Sequence, residues 1–480
     1  MSKTLSNSRL VNTARSHDSL TENLAVTHST SLSNVVDMFF LAGASRTMSE
    51  KDILTVFTRA HTEDPVLAMK CLFWARDIRK GAGERRFFRV IWDHLRQYGN
   101  PQEVHDLEYL IPEYGRWDDV WAGLPTMDRT TALWFHKVLT EEKNGLLAKW
   151  LPRKGKIFSS MAHHLEVTPK QLRKLLVELS NTVEQKMCAR QWEDIKYSTV
   201  PSVAMNRYRK AFLKNDPDRF AAYIHDVTEG KDDIKAGAIF PHDITNKVMN
   251  MDGRLERDAI EAQWEALPNY MEGSDERILP ICDVSGSMYS YTNPRPIDVS
   301  VALGVYISER NEGIFKNAFI TFSGRPSMHY LEGSVIDRMM QLDKAEWAVN
   351  TNLQASLALI LDRALKYGLK ETEMPTKLLI ISDMEFDNCG RGTNLERIQT
   401  QYESAGYKMP QVVFWNVRGR MGNAPARYND TGIALVSGFS PTILKNILAG
   451  VITTPEKFVL NVLNSDRYQP VHDAIVPPAE

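Results

Sequence analysis

Two short apolar runs, each ending in an aspartate, constrain the fold of this chain more than any other feature. One run covers residues 278–283 and ends at Asp283, and the other covers residues 378–383 and ends at Asp383. Apolar runs of this length are typical of buried strands, and the segments around them alternate strand-like and helix-like patterns. This alternation predicts a mostly parallel, doubly wound sheet with both aspartates at its carboxyl edge.

Residues with hydroxyl side chains are found in the loops that we expect at this edge of the sheet. Ser285 and Ser287 follow Asp283 at alternating positions, and Thr351 immediately precedes a helix predicted over residues 352–367. Oxygen ligands with few carboxylates suit a hard divalent cation such as Mg²⁺, although the residue types do not distinguish it from Mn²⁺. The alternative is that the serine and threonine side chains are helix caps and the second aspartate a turn residue. We predict a metal site formed by Asp283, Ser285, Ser287, Thr351 and Asp383.

These predicted ligands form a motif with three parts along the chain: residues 283–287, then Thr351, then Asp383. With this motif, the segment over residues 277–450 resembles the von Willebrand factor A fold and its metal-ion-dependent adhesion site. The resemblance implies that Ser285, Ser287 and one aspartate contact the cation directly, while the remaining side chains act through water. It also implies that an acidic group of a protein partner occupies the open coordination position.

The first half of the chain has a helical period instead. From residue 35 to about residue 266, apolar side chains recur every three or four positions, with Gly, Pro or Asn between the runs. Successive helical pairs predict a HEAT-like helical repeat array. The predicted fold class is therefore multidomain α and α/β. The predicted divisions are a mobile tail over 1–33, a helical repeat domain over 34–272, a von Willebrand A-like (Rossmann-like) domain over 273–454 and an extension over 455–480.

Longer segments resemble the DUF2828 family. They are residues 74–86, 114–119, 149–156, 197–202, 236–243 and 381–387. That family is similar in layout to the TROVE module of the Ro RNA-binding proteins, in which a helical-repeat ring is joined to a von Willebrand A domain. By analogy, the layout implies a non-catalytic RNA-binding protein whose helical array holds structured or single-ended non-coding RNA.

Three runs of basic residues in the predicted helical domain give this implication local support. If the runs share one face, they form a track for a nucleic-acid backbone. Gly81 and Gly83 leave backbone amides open to a phosphate, and Trp150, Tyr208 and Phe212 are candidates to stack on unpaired bases, although they also lie at the spacing of core residues in a helix. The alternative is that the runs are solvated helix faces and the aromatic rings belong to the core. The predicted RNA-binding residues are Arg76, Arg79, Lys80, Arg85, Arg86, Lys149, Arg153, Lys154, Lys156, Arg207, Arg209 and Lys210.

Composition excludes several classes of protein. The formal net charge of −2 over 480 residues means that any nucleic-acid surface must be local. The four cysteines are scattered, which excludes a disulfide scaffold and a zinc knuckle and fits a reducing compartment. No apolar stretch reaches membrane-spanning length and no signal-peptide pattern is present, so we expect a cytoplasmic protein without a membrane partner.

A nuclease is the enzymatic alternative. Asp383, Glu385 and Asp387 alternate, and together with Asp283 they suggest a two-metal carboxylate cluster. Glu385 and Asp387 lie past the predicted strand end, however, and no nucleotide-binding loop or catalytic triad follows any predicted strand. We therefore predict a protein without catalytic activity. The alternative function is a protein-interaction adaptor or assembly factor that acts through the metal site, without RNA.

Overall fold

The structure, a computed structural model, describes residues 19–248, 251, 253–322, 326–343, 352–387 and 394–476. Helices dominate the described chain up to residue 265, and a six-stranded sheet with flanking helices follows from residue 278. This order confirms the predicted fold class, a helical part followed by an α/β part.

Side-chain caps account for where several helices of the helical part begin. The side chains of Ser33, Ser49 and Asp64 each accept a hydrogen bond from the amide three residues further on. Within the described residues, no helix is both long and apolar enough to cross a membrane. The helices are α1 Asn34–Ala42, α2 Glu50–Glu63, α3 Pro65–Arg76, α4 Arg85–Tyr98, α5 Pro101–Glu108, α6 Ile111–Tyr114, α7 Trp117–Trp121, α8 Arg129–Thr140, α9 Gly145–Trp150, α10 Lys156–His164, α11 Pro169–Ser180, α12 Val183–Cys188, α13 Ser202–Asn215, α14 Pro217–Thr228, α15 Pro241–Thr245 and α16 Arg254–Glu265.

The α/β part contains one six-stranded sheet. Its strands are β3 Ile278–Asp283, β4 Ala318–Phe322, β5 Ser327–Tyr330, β6 Lys377–Ser382, β7 Gln411–Asn416 and β8 Ile433–Ser437, while β1 Ser19–Leu20 and β2 Val26–Thr27 pair with each other near the start of the described chain. The order across the sheet is β5-β4-β3-β6-β7-β8, with all neighbours parallel except the antiparallel edge pair β4 and β5. Every residue of β3, β6 and β8 is buried, as expected when helices cover both faces.

β3 and β6 lie side by side where the order of connection reverses. From β3 the chain passes to β4 and β5 on one side, and from β6 it passes to β7 and β8 on the other. Doubly wound sheets bind their ligands beyond the strand ends at such a reversal. Because Asp283 ends β3 and Asp383 follows β6, both predicted carboxylates lie at this position.

Helices of both parts pack on this sheet. α17 Pro296–Arg310 packs against β3, β4 and β6, and α19 Leu353–Tyr367 packs against β4. α1 of the helical part lies against β8, so the main hydrophobic core runs from the helical part into the sheet without interruption. The remaining helices are α18 Val335–Asp343, α20 Asn394–Ser404, α21 Ile443–Leu448, α22 Pro455–Leu463 and α23 Gln469–Ile475.

The hydroxyl of Ser437 joins α1 to β8. It donates to the Phe39 carbonyl at 2.7 Å and accepts from the Gly43 amide at 2.9 Å. Carbonyl groups near a helix C-terminus have no partner within the helix, so this serine satisfies one of them from outside. A Cβ on Gly43 would collide with the Ser437 carbonyl, and only glycine allows this close approach.

The predicted mobile tail is wrong for the part of it that the structure describes, from residue 19 onward. The Thr21 hydroxyl donates to the Phe386 carbonyl at 2.7 Å, and the Glu22 amide donates to the Glu385 carboxylate at 2.6 Å. The Ser- and Thr-rich composition did not indicate these partners, because they lie more than 350 positions away in the chain.

The C-terminal segment returns to the helical part. The Arg467 guanidinium pairs with Asp77 at 2.8 Å and with Glu113 at 2.5 Å, and the Tyr114 hydroxyl donates to the Arg467 carbonyl at 2.6 Å. The segment predicted as a C-terminal extension after residue 454 therefore contacts the helical part at the end of α3 and on α6.

His242 of α15 is buried where the two parts meet, with its ring 5.9 Å from the ring of Phe439. Burial lowers the pKa of His242 to about 4. The imidazole stays neutral in the folded protein, whereas in the unfolded chain it takes up a proton below about pH 6.5. The unfolded state therefore binds more protons between about pH 6.5 and 4, and stability falls as the pH falls through this window.

We expect His242→Phe to remove about 3 kcal/mol of the acid sensitivity between pH 6.5 and 4, as measured by chemical denaturation at several pH values. His225→Phe on exposed α14 serves as the matched control and should leave the pH dependence unchanged. Parallel stability curves for wild type and His242→Phe would contradict the buried neutral imidazole.

Candidate metal site and basic surface

Asp283 is buried at the end of β3, and hydrogen bonds hold both of its carboxylate oxygens. Oδ2 accepts from the Ser382 hydroxyl of the neighbouring strand at 2.6 Å, and Oδ1 accepts from the Ser285 amide at 2.9 Å. The first bond crosses from β6 to β3, and the second makes the chain turn after the strand. The carboxylate is thereby fixed at the edge of the sheet.

Asp383 leaves one oxygen available at the same edge. Its Oδ2 is buried and makes no hydrogen bond within the described residues, and Arg418 Nη1 lies 3.7 Å away. The hydroxyls of Ser285 and Ser287 lie 3.1 Å from each other. A buried carboxylate oxygen without a hydrogen bond is costly, and a cation would satisfy it.

The electrostatics of the pair favour an added cation. Burial and the neighbouring Asp383 carboxylate raise the pKa of Asp283 to about 7. Burial also raises the pKa of Asp383, although the Ser287 hydroxyl in contact with it partly offsets this. Two carboxylates held together away from water thus resist ionisation until a positive charge is supplied.

Four of the five predicted ligands are therefore brought together, and these residues fit a hard divalent cation. Thr351 lies outside the described residues, and the helix cap predicted for it belongs to Asn352, whose side chain accepts from the Ala355 amide at 2.8 Å. Among the described residues, no three His, Cys, Asp or Glu side chains are grouped to hold a metal. The four predicted ligands that the structure describes are two carboxylates and two hydroxyl groups, oxygen donors of the kind that hard divalent cations prefer to softer metals.

Glu385, considered in the nuclease alternative, has other partners. Its carboxylate accepts from the Glu22 amide at 2.6 Å and from the Asn423 side chain at 3.2 Å, and Arg420 lies 3.4 Å away. These bonds tie the loop after β6 to the N-terminal segment. In the described structure Glu385 thus serves this contact between segments.

Arg418, which the sequence analysis missed, lies at the edge of the site. Its Nη1 donates a hydrogen bond to the Ser287 carbonyl at 3.1 Å, and the same atom lies 3.7 Å from the Asp383 carboxylate. The signal that could have found it is its position two residues past β7, the strand next to β6. The guanidinium holds the Ser287 loop and supplies a fixed positive charge beside the carboxylates.

Exposed aromatic rings lie on the loop that follows the serines. Tyr289 is about half exposed and Tyr291 is fully exposed. This loop therefore presents two aromatic rings to solvent next to the crevice.

The helical part does not expose all of the predicted RNA-binding residues. Arg76 and Arg209 are buried in ion pairs, with Asp119 at 2.7 Å and Glu256 at 2.8 Å respectively. Phe212 is fully buried in a separate core formed by residues 195–259, so it cannot stack on a base. These predictions are wrong because basic and aromatic side chains at helical spacing were taken as surface.

Other predicted RNA-binding cations form hydrogen bonds or ion pairs within the protein. Arg79, Arg86 and Arg153 donate to backbone carbonyls, which positions loops rather than ligands. Lys149 lies 3.4 Å from Glu184, and the exposed Lys210 lies 3.7 Å from Glu256.

The predicted phosphate loop at Gly81 and Gly83 is a contact between the two parts. The Gly81 amide donates to the Asp77 carbonyl at 3.1 Å, and the Gly81 carbonyl accepts from the Thr442 hydroxyl at 3.1 Å. A Cβ on Gly83 would press against the ring of Phe240. The neighbouring amides of Ala82 and Glu84 also donate to carbonyls of the helical part, so these amides and that of Gly81 are not available to a phosphate.

Side-chain contacts nevertheless link the three basic runs. The Arg116 guanidinium lies over the Trp150 ring at 3.4 Å and shares Asp118 with Arg89 of the first run, which joins the first run to the second. Glu184 lies 3.4 Å from both Lys149 Nζ and the Tyr208 hydroxyl, and so joins the second run to the third. We call this the basic surface. Its exposed cations whose side chains form no ion pair or hydrogen bond to any described residue are Lys80, Arg85, Lys154, Lys156 and Arg207.

Fold and site together define a two-part protein in which a helical part with a basic surface is fused to a doubly wound α/β part with an oxygen-lined crevice. Comparison with known families agrees with this division. The helical part matches the family model "Domain of unknown function (DUF2828)" over residues 21–102 and 138–275, which confirms the resemblance drawn from the sequence. The α/β part matches a second model, "Domain of unknown function (DUF7788)", over residues 277–476.

Similar proteins add little about function. An uncharacterized protein of Acanthamoeba polyphaga mimivirus is 28% identical over 516 residues, covering 94% of this chain and 88% of the relative. The crystal structure of Deinococcus radiodurans RO (RSR) protein aligns with 90% of this chain and 99% of its own, at 13% identity and a TM-score of 0.42. A likeness this distant carries no argument about fold or function.

Proposed function

We propose that this protein binds RNA along the basic surface of its helical part and holds Mg²⁺ or Mn²⁺ in the crevice of its α/β part. The contact between Arg116 and Trp150 carries the RNA proposal. It brings two basic runs, distant in the chain, to one place beside an aromatic ring that is 36% exposed. Exposed cations next to an accessible aromatic ring are the chemistry of single-stranded nucleic-acid recognition.

The exposed cations of the basic surface are the phosphate contacts in this proposal. Lys154 and Lys156 follow the helix that carries Trp150, and Arg207 extends the surface beyond Glu184. Phosphate contacts of this kind fix affinity and salt dependence without reading sequence. The ligand class that fits is structured or single-ended non-coding RNA with an unpaired segment.

The α/β part is, in this proposal, a von Willebrand A-like domain whose crevice is a metal-ion-dependent adhesion site. The ligands are Asp283, Ser285, Ser287 and Asp383, with Thr351 as the fifth predicted member. A bound cation supplies a Lewis-acidic position for an acidic group of a protein partner. We propose no catalytic role, because the described groups at the crevice include no free base or nucleophile beyond the ligands themselves. Unpaired Cys71, Cys188 and Cys282 fit a cytoplasmic protein.

A second candidate function is a protein-interaction adaptor that acts through the crevice without RNA. The exposed rings of Tyr289 and Tyr291 beside the candidate metal ligands favour it. Under this alternative the basic surface is ordinary solvated surface, and changes of its charge leave partner binding intact.

The RNA proposal predicts a marked loss of binding when two cations of the basic surface are reversed. We expect Lys154→Glu with Lys156→Glu to weaken binding of an unstructured RNA oligomer, as measured by fluorescence anisotropy over a range of salt concentrations. The slope of log K against log salt should become shallower by about 1.4, because two single-strand phosphate contacts are lost.

The matched control is Arg363→Glu with Lys366→Glu, which makes the same charge change on the exposed side of α19. It should leave both affinity and salt slope near the wild-type values. Equal effects of the two double variants, or wild-type protein that does not bind RNA at all, would overturn the RNA proposal and leave the adaptor as the better candidate.

A further inference from the structure

One corner of the basic surface carries more positive than negative charge. Four guanidinium groups surround two carboxylates there, so two positive charges are left uncompensated. We call this group the arginine cluster. Its members are Arg76, Arg85, Arg89, Arg116, Asp118 and Asp119.

Both carboxylates of the cluster form ion pairs with three of its four arginines. Asp119 pairs with Arg76 at 2.7 Å and with Arg89 at 2.6 Å, and Asp118 pairs with Arg116 at 2.9 Å. No described residue forms an ion pair or hydrogen bond with the fourth guanidinium, that of Arg85, which is exposed at the first position of α4. Arg85 is therefore the cation that a ligand of the cluster meets first.

The neighbouring guanidinium groups are close enough to repel one another. Partial burial lowers the pKa of Arg85, and the positive charges of Arg89 and Arg76 lower it further. Partial burial also lowers the pKa of Arg116, and the positive charges of Arg85 and Arg89 lower it further. An anion placed among these groups would relieve this repulsion.

The same cluster adjoins an aromatic ring. Arg116 donates one hydrogen bond from Nη2 to Asp118 at 3.0 Å, its Nε lies 2.9 Å from the same carboxylate as an ion pair, and its guanidinium lies over Trp150 at 3.4 Å. The position of the guanidinium relative to the indole is thus fixed. A base next to a bound phosphate finds at Trp150 a partly exposed ring on which to stack.

We propose that the arginine cluster is a binding site for the terminal phosphate of a single-stranded RNA, with the adjacent base on Trp150. A terminal phosphate monoester carries nearly two negative charges, whereas a diester within the chain carries one. The monoester therefore matches the excess charge of the cluster better than a diester does. This inference rests on the proposed RNA binding and adds a preference for phosphorylated RNA ends.

The test uses one unstructured RNA sequence in three forms: with a 5′-phosphate, with a 3′-phosphate, and with hydroxyl groups at both ends. Binding to the full-length protein is measured by anisotropy at pH 7.5 in EDTA, which keeps the metal site out of the comparison. We expect one phosphorylated form to bind about tenfold more tightly than the hydroxyl form, as charge-assisted hydrogen bonds allow. The phosphorylated form with the higher affinity identifies the end of the RNA that is recognised.

Arg85→Gln should abolish this preference without lowering the melting temperature, because the side chain forms no ion pair or hydrogen bond with a described residue. The matched control, Arg207→Gln at the other end of the basic surface, should weaken all three forms equally and keep the preference. In the wild type, the preference should shrink at pH 5, where the monoester has lost most of its second charge.

Two outcomes would overturn the inference while RNA binding stands: equal affinity of the wild type for all three forms, or an Arg85→Gln variant that retains the preference. Absence of binding to every form would instead remove the proposed function itself.

Discussion

Asp119→Ala is expected to lower the free energy of unfolding by about 3–5 kcal/mol, the range for breaking one side of a buried ion pair. Asp119 is fully buried and accepts from Arg76 Nε at 2.7 Å, from Arg89 Nε at 2.7 Å and from the Arg116 amide at 2.9 Å. Although burial opposes its ionisation, Arg76 and Arg89 hold the pKa of Asp119 below its usual value. Its removal leaves Arg76, only 1% exposed, without a carboxylate.

Two variants make this expectation specific to the buried pair. Asp118→Ala removes the adjacent, partly exposed carboxylate and should cost only about 1 kcal/mol. Arg76→Met should cost less than Asp119→Ala, because Asp119 then keeps Arg89 as its partner while the methionine fills the space. Chemical denaturation, followed by tryptophan fluorescence, measures all three. Equal losses for Asp118→Ala and Asp119→Ala would contradict the buried ion pair.

Mg²⁺ is expected to raise the melting temperature of the wild type and to have no effect on Asp283→Asn. A cation that binds only the folded state stabilises it by about 2.7 kcal/mol at a hundred times its Kd. In EDTA, Asp283→Asn removes the repulsion between the two buried carboxylates but also removes one of the two acceptor oxygens that Ser382 and Ser285 use, so the response to Mg²⁺ and not the absolute melting temperature is compared. Thermal melts with and without Mg²⁺ measure both effects.

The pH dependence of the same melts gives a second readout. Because the pKa of Asp283 rises to about 7 on folding, the metal-free folded state holds a proton that the unfolded state loses above about pH 4. His242 contributes in the opposite direction over this window in both proteins, so the comparison is between wild type and Asp283→Asn. Relative to Asp283→Asn, metal-free wild type should therefore lose stability as the pH rises from about 4 to 7, and the benefit of Mg²⁺ should grow over the same window in the wild type alone.

Glu385→Gln is the matched control for the metal experiment, since it changes a buried carboxylate two residues from Asp383 that binds the N-terminal segment instead. Its melting temperature should still respond to Mg²⁺. A wild type that does not respond to Mg²⁺, or equal responses in wild type and Asp283→Asn, would contradict the site.

The sheet and the two carboxylates at its edge could be predicted from the sequence because they depend on local patterns. The apolar runs that end at Asp283 and Asp383 form buried strands, and parallel neighbours bring their carboxyl ends together without further information. The hairpin of β4 and β5 follows in the same way from two short strand-like runs. Local periodicity was sufficient for these elements.

The role of individual charges could not be predicted because it depends on partners distant in the chain. Arg76 belongs to a conspicuous basic run, yet its partner Asp119 lies 43 residues further on and removes it from the surface. Arg418 approaches Asp383 only because β7 packs beside β6. The packing of Thr21 and Glu22 on the loop after β6 leaves no periodic signal at all. Composition describes which charges exist, but the tertiary fold decides which of them face solvent.

Each end of the described chain packs on the part of the protein that lies farther from it in sequence, and this limits where the chain can be cut. The segment around Thr21 completes the α/β part, while Arg467 completes the helical part, so each half carries a piece of the other. A cut near residue 272 would separate each half from its own missing piece and open the core that α1 and β8 share. Functional fragments of this protein would therefore be obtained by co-expressing complementary pieces rather than by isolating either half.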